Sequence, residues 1–540
     1  MESPDPASTL IKRLQEIVGV DGVVYKDAEV ELETRTCIPF RQIPDCVVYP
    51  ASADQVQRIV VIANELKLKL WPVSTGKNWG YGEKSAGYPG GITMVLERMR
   101  KIEDVDEELG YALIEPGVTY GDLNRYLKEH QLALWSDSAG PTPSASVIGN
   151  ALDKGRGLTP YADHFGCLCG MEVVLADGTL LRTGNLTETQ NKVWNLYKWG
   201  VGPYLDGLFA QSNLGIVVKA GVWLMPVPEA FDFLAFEYTK SPDVFPAMID
   251  DLRGLVFRGV LRSRPHLAND FAMLCIVSQY PKHLLAGRRS LSPEALEQWR
   301  REHGVGHWTF GCGLYGSAAE VRSQRRTLRK VLGKYGRLWS FGRATQRDWV
   351  GRMLFRVARL GARVSGKSTA FLDQIEPAAD LFRGVPTDEF VRQVYFKSGK
   401  EKPRGAFDPA KDQCGFIWIG PLVPFRSGNV QEVLERARRI FAAHDFDFFV
   451  EIIIESPRAL ILLFGVFYDR TSPPEGERAS RWYAEIRAEM IAAGYPPYRE
   501  TAQTSSHVFD DNAPTRKLLS SIKKALDPDR AIAPGRYGID

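Results

Sequence analysis

Three glycines, Gly76, Gly80 and Gly82, stand close together in the stretch Trp71 to Gly82, WPVSTGKNWGYG. Glycine lets the main chain enter left-handed dihedrals and brings amide N–H groups near a ligand. Successive amides facing one concavity make an anion nest suited to a pyrophosphate. A plain hairpin turn is the competing reading of such a loop. A second glycine set, Gly361 to Ser368 (GARVSGKS), matches GxxxxGK[ST], in which Lys367 would meet nucleotide phosphates and Ser368 a Mg²⁺. Its lead-in, DWVGRMLFRVARL, carries arginines 352, 356 and 359 at helical intervals, whereas a phosphate loop follows a buried strand. A nucleotide hydrolase is the lesser alternative. Between Arg322 and Arg363, thirteen Lys/Arg face one acid, Asp348. Such a run suits a solvated basic face, or else an acidic redox partner or an anionic membrane surface.

The glycine bend needs elements to hold it. Leu68, Leu70, Trp71 and Val73 read as a strand entering the bend, and Ile92 to Leu96 as a strand leaving it. No helix follows, so the bend is not the GxGxxG turn of a βαβ unit. Before it, DQVQRIVVIANEL has helical spacing after Ser52 or Asp54. After it, Tyr111 to Glu115 reads as a strand ending at Pro116-Gly117, and Asp122 to His130 as a helix. Residues 136–157 read as one long loop, of a length that is usually functional in a compact domain. Gly170 to Leu181 reads as a hairpin turning at Asp177-Gly178. Strand-rich Leu214 to Met225 ends at Pro226, where a domain boundary is expected. In the middle of the chain, FDFLAFEYT, FAMLCIV and WTFGCGLYG read as strands, and SPDVFPAMIDDLRGLVF and PEGERASRWYAEIRAEMIAAG as helices. Antiparallel strands with helices on one face make an α+β layer. The end, LDPDRAIAPGRYGID, would fray unless tied back onto the first domain.

At 540 residues the chain is too long for one ordinary core. Its hydrophobic content of 44% and charged content of 25% are those of a globular protein. Seven cysteines without regular spacing argue for reduced thiols. The N-terminal stretch reads as an amphipathic helix rather than a signal peptide, and no apolar run is long enough to span a bilayer. A soluble, cytoplasmic protein is expected.

Several motifs in one order carry a resemblance: TGKNWGYG, EPGVTYGDL, GNALDKGRGLTPYADHFGCLCGMEVVLADGTLLRTG, LYKWGVGPYLDGLFAQSNLGIVVKAGVWLMP, PPYR and LDPDRAIAPGR. On these the chain resembles the vanillyl-alcohol oxidase/p-cresol methylhydroxylase flavoprotein family over nearly its whole length. The branch with eugenol oxidase and p-cresol methylhydroxylase is the most similar. The resemblance implies FAD and an α+β architecture: a bipartite FAD-binding domain from residues 1–227 and 487–540, with a cap from 228–486. It implies that Thr75, Gly76, Lys77, Asn78, Trp79, Gly80 and Gly82 serve the cofactor. Pro116, Gly117, Gly149, Asn150, Gly215, Ile216, Val217 and Arg536 join them.

The reaction implied is oxidation of a para-substituted phenol, bound as phenolate, through a quinone methide to which water can add. Tyr81, Tyr498 and Arg499 match the positions that bind the phenolate oxygen. Asp153 matches an acid/base carboxylate near the flavin, expected there over an apolar ring with a raised pKa. Phe416 and Trp418 would line the substrate pocket. Family members that tether FAD use a His or Tyr where this chain has Phe416, so non-covalent FAD is expected, with Cys414 and Tyr395 as outside candidates for a bond. Glu83-Lys84 replaces the small residues usual after GYG. Electrons would pass to O₂ or to a cytochrome-like acceptor. A homodimer is expected, with no metal site, no nucleic-acid partner and no transmembrane segment.

Overall fold

The computed structural model describes residues 6–138, 140, 142–184, 191–342, 353, 356–357, 360, 370–397, 407–510 and 512–540. The GxxxxGK[ST] match and most of its basic lead-in lie outside the described residues. Among the described residues no helix is long and apolar enough to cross a membrane.

Two small sheets carry the glycine bend. Strands β1 (Val23–Val24), β2 (Cys46–Val48), β3 (Leu70–Val73) and β4 (Ile92–Val95) form a sheet in the order β1-β2-β4-β3. β4 pairs in parallel with both β2 and β3, and all of its residues are buried. Parallel strands require covered faces, which explains the continuous apolar run. The helix Ala53–Glu65, capped by Ser52 Oγ on Gln55 N, supplies part of that cover through Val56, Ile59 and Val60. The second sheet runs β5 (Ile102–Asp106), β6 (Tyr111–Ile114), β10 (Ile216–Trp223), β8 (Leu168–Val174), β9 (Leu180–Arg182). β8 and β9 form the hairpin read at Asp177-Gly178. A short pair, β7 (Leu134–Trp135) with β11 (Met225–Pro226), leads out of this region.

The remaining strands make one antiparallel sheet of eight. They are β12 (Ala230–Tyr238), β13 (His266–Asn269), β14 (Trp308–Gly316), β15 (Gly336–Ser340), β16 (Cys414–Ile419), β17 (Leu422–Pro424), β18 (Phe449–Ile454) and β19 (Ala459–Asp469). The order is β15-β12-β14-β13-β18-β19-β16, with β17 also on β19. Alternation along each strand separates two environments. Leu234 and Phe236, Val450 and Ile452, and Phe464 and Val466 join one core with the helices Phe245–Phe257, Ala318–Leu332, Ser427–Ala443 and Pro473–Ala492. Their strand neighbours Phe233, Ala235, Glu451, Ile453 and Leu463 line a cavity instead. A one-residue slip would exchange the two sets, so the register is fixed by burial.

Three sequence expectations fail here. FAMLCIV is not a strand: Asp270–Val277 is a helix, capped by Asn269 Oδ1 accepting from Ala272 N. A short all-apolar run gives no periodicity to tell strand from helix. Residues 136–157 are not one loop, because Val147–Leu152 is a helix capped by Ser146. Helices also occupy both faces of the large sheet, since Asp270–Val277, Ala370–Leu381 and Arg392–Tyr395 contribute lining residues to its cavity face.

The C-terminal segment is tied down. Leu70 N donates to Ala531 O and Ala533 N to Leu70 O, both at 2.7 Å, so the segment runs beside β3. Lys523, wholly buried, donates to Asn213 O, Ile532 O and Asp527 Oδ2 at 2.6–2.7 Å. Asp527 in turn accepts from the amides of Ala531 and Ile532. Burial pushes the Lys523 amine down, and the hydrogen bond and charge of Asp527 oppose it.

Candidate active site

β3 delivers Ser74 to Asn78 into a cleft, and the bend has the dihedrals glycine was needed for. Gly76 has φ 65° and Gly82 has φ 124°; a Cβ on Gly76 would lie 2.5 Å from Lys84 Cγ. The cleft is lined by Thr75, Gly76, Lys77, Asn78, Tyr81 and Gly82. Gly149, Asn150 and Asp153 join from the short helix and its end, Gly215, Ile216 and Val217 from the start of β10, and Arg536 from the C-terminal segment. Ser146 holds the short helix in place: its Oγ donates to Pro116 O (2.6 Å) and accepts from Gly149 N (2.8 Å).

Four expected cofactor residues stand elsewhere. Trp79 lines the neighbouring apolar cavity, because its ring packs into the cluster of Phe416 and Trp418. The amide of Gly80 is already taken by Glu83 Oε1 at 2.8 Å. Pro116 and Gly117 lie behind the cleft, where Gly117 N donates to Met99 O and its Cα faces backbone carbonyls.

The apolar cavity, about 320 Å³, lies over the free face of the large sheet. Phe416 and Trp418 line it as expected. Lys77, Asn78, Tyr81, Asn150 and Arg499 line both spaces, so the two meet at these residues. Arg499 stands at the junction, with its Cζ 5.1 Å from the Tyr81 ring and 5.2 Å from the Tyr498 ring. Its Nε donates to Asp153 O (2.9 Å) and pairs with Asp153 Oδ2 (3.1 Å), and its Nη1 donates to Asn78 Oδ1 (3.1 Å). Its Nη2 is buried with no partner. Burial alone would lower the Arg499 pKa, but Tyr498, Asp153 and Tyr81 around it raise it overall, so the guanidinium stays charged. Tyr81 lies against Tyr498 without a well-aligned hydrogen bond for its hydroxyl. Burial pushes that hydroxyl well above its ordinary range and Tyr498 adds to the rise, while Arg499 opposes it. The site therefore keeps two buried donors, Arg499 Nη2 and Tyr81 OH, unspent by the protein.

Asp153 is not left over bare apolar surface. Asn78 Nδ2 donates to its Oδ2 (2.8 Å), beside the Arg499 contact, and the Tyr537 hydroxyl donates to its Oδ1 (2.5 Å). Tyr537 and Gln211 are site residues that the sequence reading missed. Gln211 Nε2 donates to Tyr498 O at 2.9 Å and so ties the two ends of the site together. Both residues have positive φ, as do Glu83, Lys154 and Ala533 around the same cleft. Left-handed non-glycine residues cost about 1 kcal/mol or more each and tend to gather at functional sites. A positive φ leaves no periodicity in a sequence, so nothing in PGRYG pointed to Tyr537.

Behind Asn150 lies a buried relay. His164 Nδ1 is 2.5 Å from Asn150 Oδ1 and 3.0 Å from the Tyr120 hydroxyl, and His164 Nε2 is 3.1 Å from Asp137 Oδ2. These contacts engage the amide oxygen of Asn150 and fix the side chain that lines both spaces.

Glu83, one of the departures noted in sequence, is buried beneath the bend. Burial raises its pKa to about 7, against the opposing hydrogen bonds from Gly80 and Cys37. A carboxyl raised in the folded state keeps a proton the unfolded chain has lost, so stability falls as pH rises from its ordinary 4.5 to about 7 and then levels. Glu83→Gln should remove that decline. Denaturant titrations at pH 5 and pH 8 should show the variant gaining on the parent by on the order of 3 kcal/mol. Parallel profiles would refute the assignment.

Comparison with known proteins agrees with this geometry. A family model described as an FAD binding domain matches residues 44–184. The 1'-carboxy-chondrochloren decarboxylase of Chondromyces crocatus is 35% identical over 98% of this chain and 97% of its own length. The 4-cresol dehydrogenase (hydroxylating) flavoprotein subunit of Pseudomonas putida is 29% identical over 98% of this chain and 95% of its own. Among solved structures, p-cresol methylhydroxylase with substrate bound superposes with a TM-score of 0.87 at 29% identity, covering 99% of this chain and 97% of that one. The 4-ethylphenol oxidase of Gulosibacter chungangensis, in an isoeugenol complex, also gives 0.87, at 26% identity over 99% and 98%. The chain belongs to the vanillyl-alcohol oxidase/p-cresol methylhydroxylase family and is an FAD-dependent oxidoreductase.

Proposed function

We propose that this enzyme oxidises a para-substituted phenol at the side-chain carbon next to the ring. The observation that carries the reading is the junction itself. Tyr81, Tyr498 and Arg499 converge where a cleft fit for FAD meets an apolar cavity, and two of their buried donors lack partners. The glycine bend, Gly149 and the Gly215–Val217 stretch would hold the cofactor, and Arg536, fixed by donating to Pro72 O (3.2 Å), would close over it. FAD, when bound, supplies a hydride acceptor at N5.

The protein groups do the rest. Arg499 Nη2 and the two tyrosine hydroxyls take the phenol oxygen, favour its ionised form by charge and hydrogen bonding, and so push electron density toward the para carbon. A hydride leaves that carbon and the substrate becomes a quinone methide. Water can then add at the same carbon: its oxygen forms the new C–O bond, its proton passes to Asp153, and the ring regains its phenolate. Phe416 and Trp418 keep the ring dry. The electrons pass on to O₂ or to a cytochrome-like acceptor.

Residues 1–227 with 487–540 are taken as the flavin part and 228–486 as the cap, because the large sheet draws its strands from the cap segment alone. FAD is taken as non-covalent. Phe416 offers no nucleophile, Tyr395 hydrogen-bonds Asp412 (2.5 Å), and neither Tyr395 nor Cys414 lines the two spaces.

Anaerobic addition of 4-ethylphenol to the yellow holoenzyme should bleach the flavin band, and acid precipitation should leave yellow colour in the supernatant. Yellow protein that no 4-alkylphenol bleaches would overturn the phenol reading, and a yellow pellet the non-covalent one.

A further inference from the structure

The same cavity continues well past the place of the phenol. Its near end is marked by β16: Trp418 Cδ1 lies 2.4 Å from where a Cβ on Gly80 would stand, beside Tyr81. From β16 the sheet runs through β19 and β18 to β13, three strand spacings or about 14 Å. On β13, His266 lines the cavity, with its Nδ1 3.5 Å from Glu451 Oε2 and its Nε2 buried and without a partner. Gln374, on the helix Ala370–Leu381 that packs against β14 next to β13, lines the same cavity with a buried, unpartnered Oε1; Gln393, which has another, stands on the helix that packs against β16 at the near end. Buried polar atoms are otherwise almost always paired, because an unmade hydrogen bond costs the full desolvation of the group. A methyl or ethyl chain on the phenol would stop short of His266.

We infer that the far end of the cavity, His266 with Gln374, is a subsite for a neutral hydrogen-bonding group, a hydroxyl or an amide, at the end of a long para chain. It rests on the phenol reading above and names the class of phenol. The unpartnered Gln374 Oε1 is an amide oxygen and calls for a donor on the ligand. Glu451, already beside His266, repels a carboxylate. Of the cavity's cations, Arg156 is paired with Asp163 and Glu455, Lys77 with Asp408, and Arg499 stands at the phenol end. The walls between the two ends are apolar (Ala268, Met273, Ile276, Leu463) and fit an alkyl or alkenyl spacer.

The test is a series of 4-alkylphenols of graded length ending in methyl, hydroxyl, carboxamide or carboxylate, with the apparent Kd read from the concentration dependence of anaerobic bleaching in the holoenzyme. Hydroxyl- and carboxamide-ended chains long enough to cross the sheet should bind about tenfold or more tighter than methyl-ended chains of equal length. At ethyl length there should be no such preference. His266→Leu should bring the ratio toward one, and Gln374→Leu provides a second reading should the first variant not fold. Equal or weaker binding of the hydroxyl-ended chains, or a ratio that neither variant moves, overturns the subsite. If 4-ethylphenol bleaches the flavin and the long chains show no preference, the subsite alone falls; if no phenol bleaches it, the phenol reading falls as well.

Discussion

Asp153→Asn is expected to slow anaerobic flavin reduction, or the water addition that follows, by about 10²- to 10⁴-fold, the range a positioned acid/base group supplies. The carboxylate receives Tyr537 on one oxygen and Asn78 with Arg499 on the other. An asparagine must turn an NH₂ toward one of these donors, so the change removes the proton acceptor and also sets donor against donor. Rapid-mixing absorbance with bound FAD quantified beforehand separates the two effects. A variant that binds FAD as the parent does yet reduces it slowly supports the acid/base role. Turnover equal to the parent's would remove Asp153 from the chemistry.

Arg499→Lys should be the second large loss, of about 10³-fold in kcat/KM, or about 4 kcal/mol. Lysine is a single point charge and cannot keep Asp153 O, Asp153 Oδ2 and Asn78 Oδ1 while presenting a further N–H to the phenol. The pH profile gives a sharper reading than the rate. Arg499 remains charged throughout, so the parent should bind phenol as phenolate well below the ordinary phenolic value of about 10. In the variant, the rise of activity with pH should move up toward that value. A profile that does not move would show that the guanidinium does not ionise the substrate.

The parts of this site that were legible in sequence are those where the residue type is forced. Gly76 and Gly82 had to be glycine because their φ values are positive and side chains crowd the place of a Cβ. The helix at Ala53–Glu65 and the hairpin at Asp177-Gly178 followed from periodicity and turn chemistry. Proximity across the fold was less legible. Trp79 and Gly80 share a loop with cleft residues, yet one faces the other cavity and the other spends its amide on Glu83. The roof helix Asp270–Val277 was read as a strand because it is apolar on every side, and only its cap, Asn269, marked it. Gln211 and Tyr537 act through distance in space from residues far along the chain, and no local pattern encodes that.

The Lys523–Asp527 clamp has a temporal side. It locks a segment made after every strand of the described sheets onto one of the first strands made, and that segment brings Tyr537 to Asp153. Until that segment is made, Asp153 lacks Tyr537 and Leu70 lacks the Ala531 and Ala533 backbone beside it. Arg536 and Tyr537, which line the cleft, therefore reach it only once that segment is made.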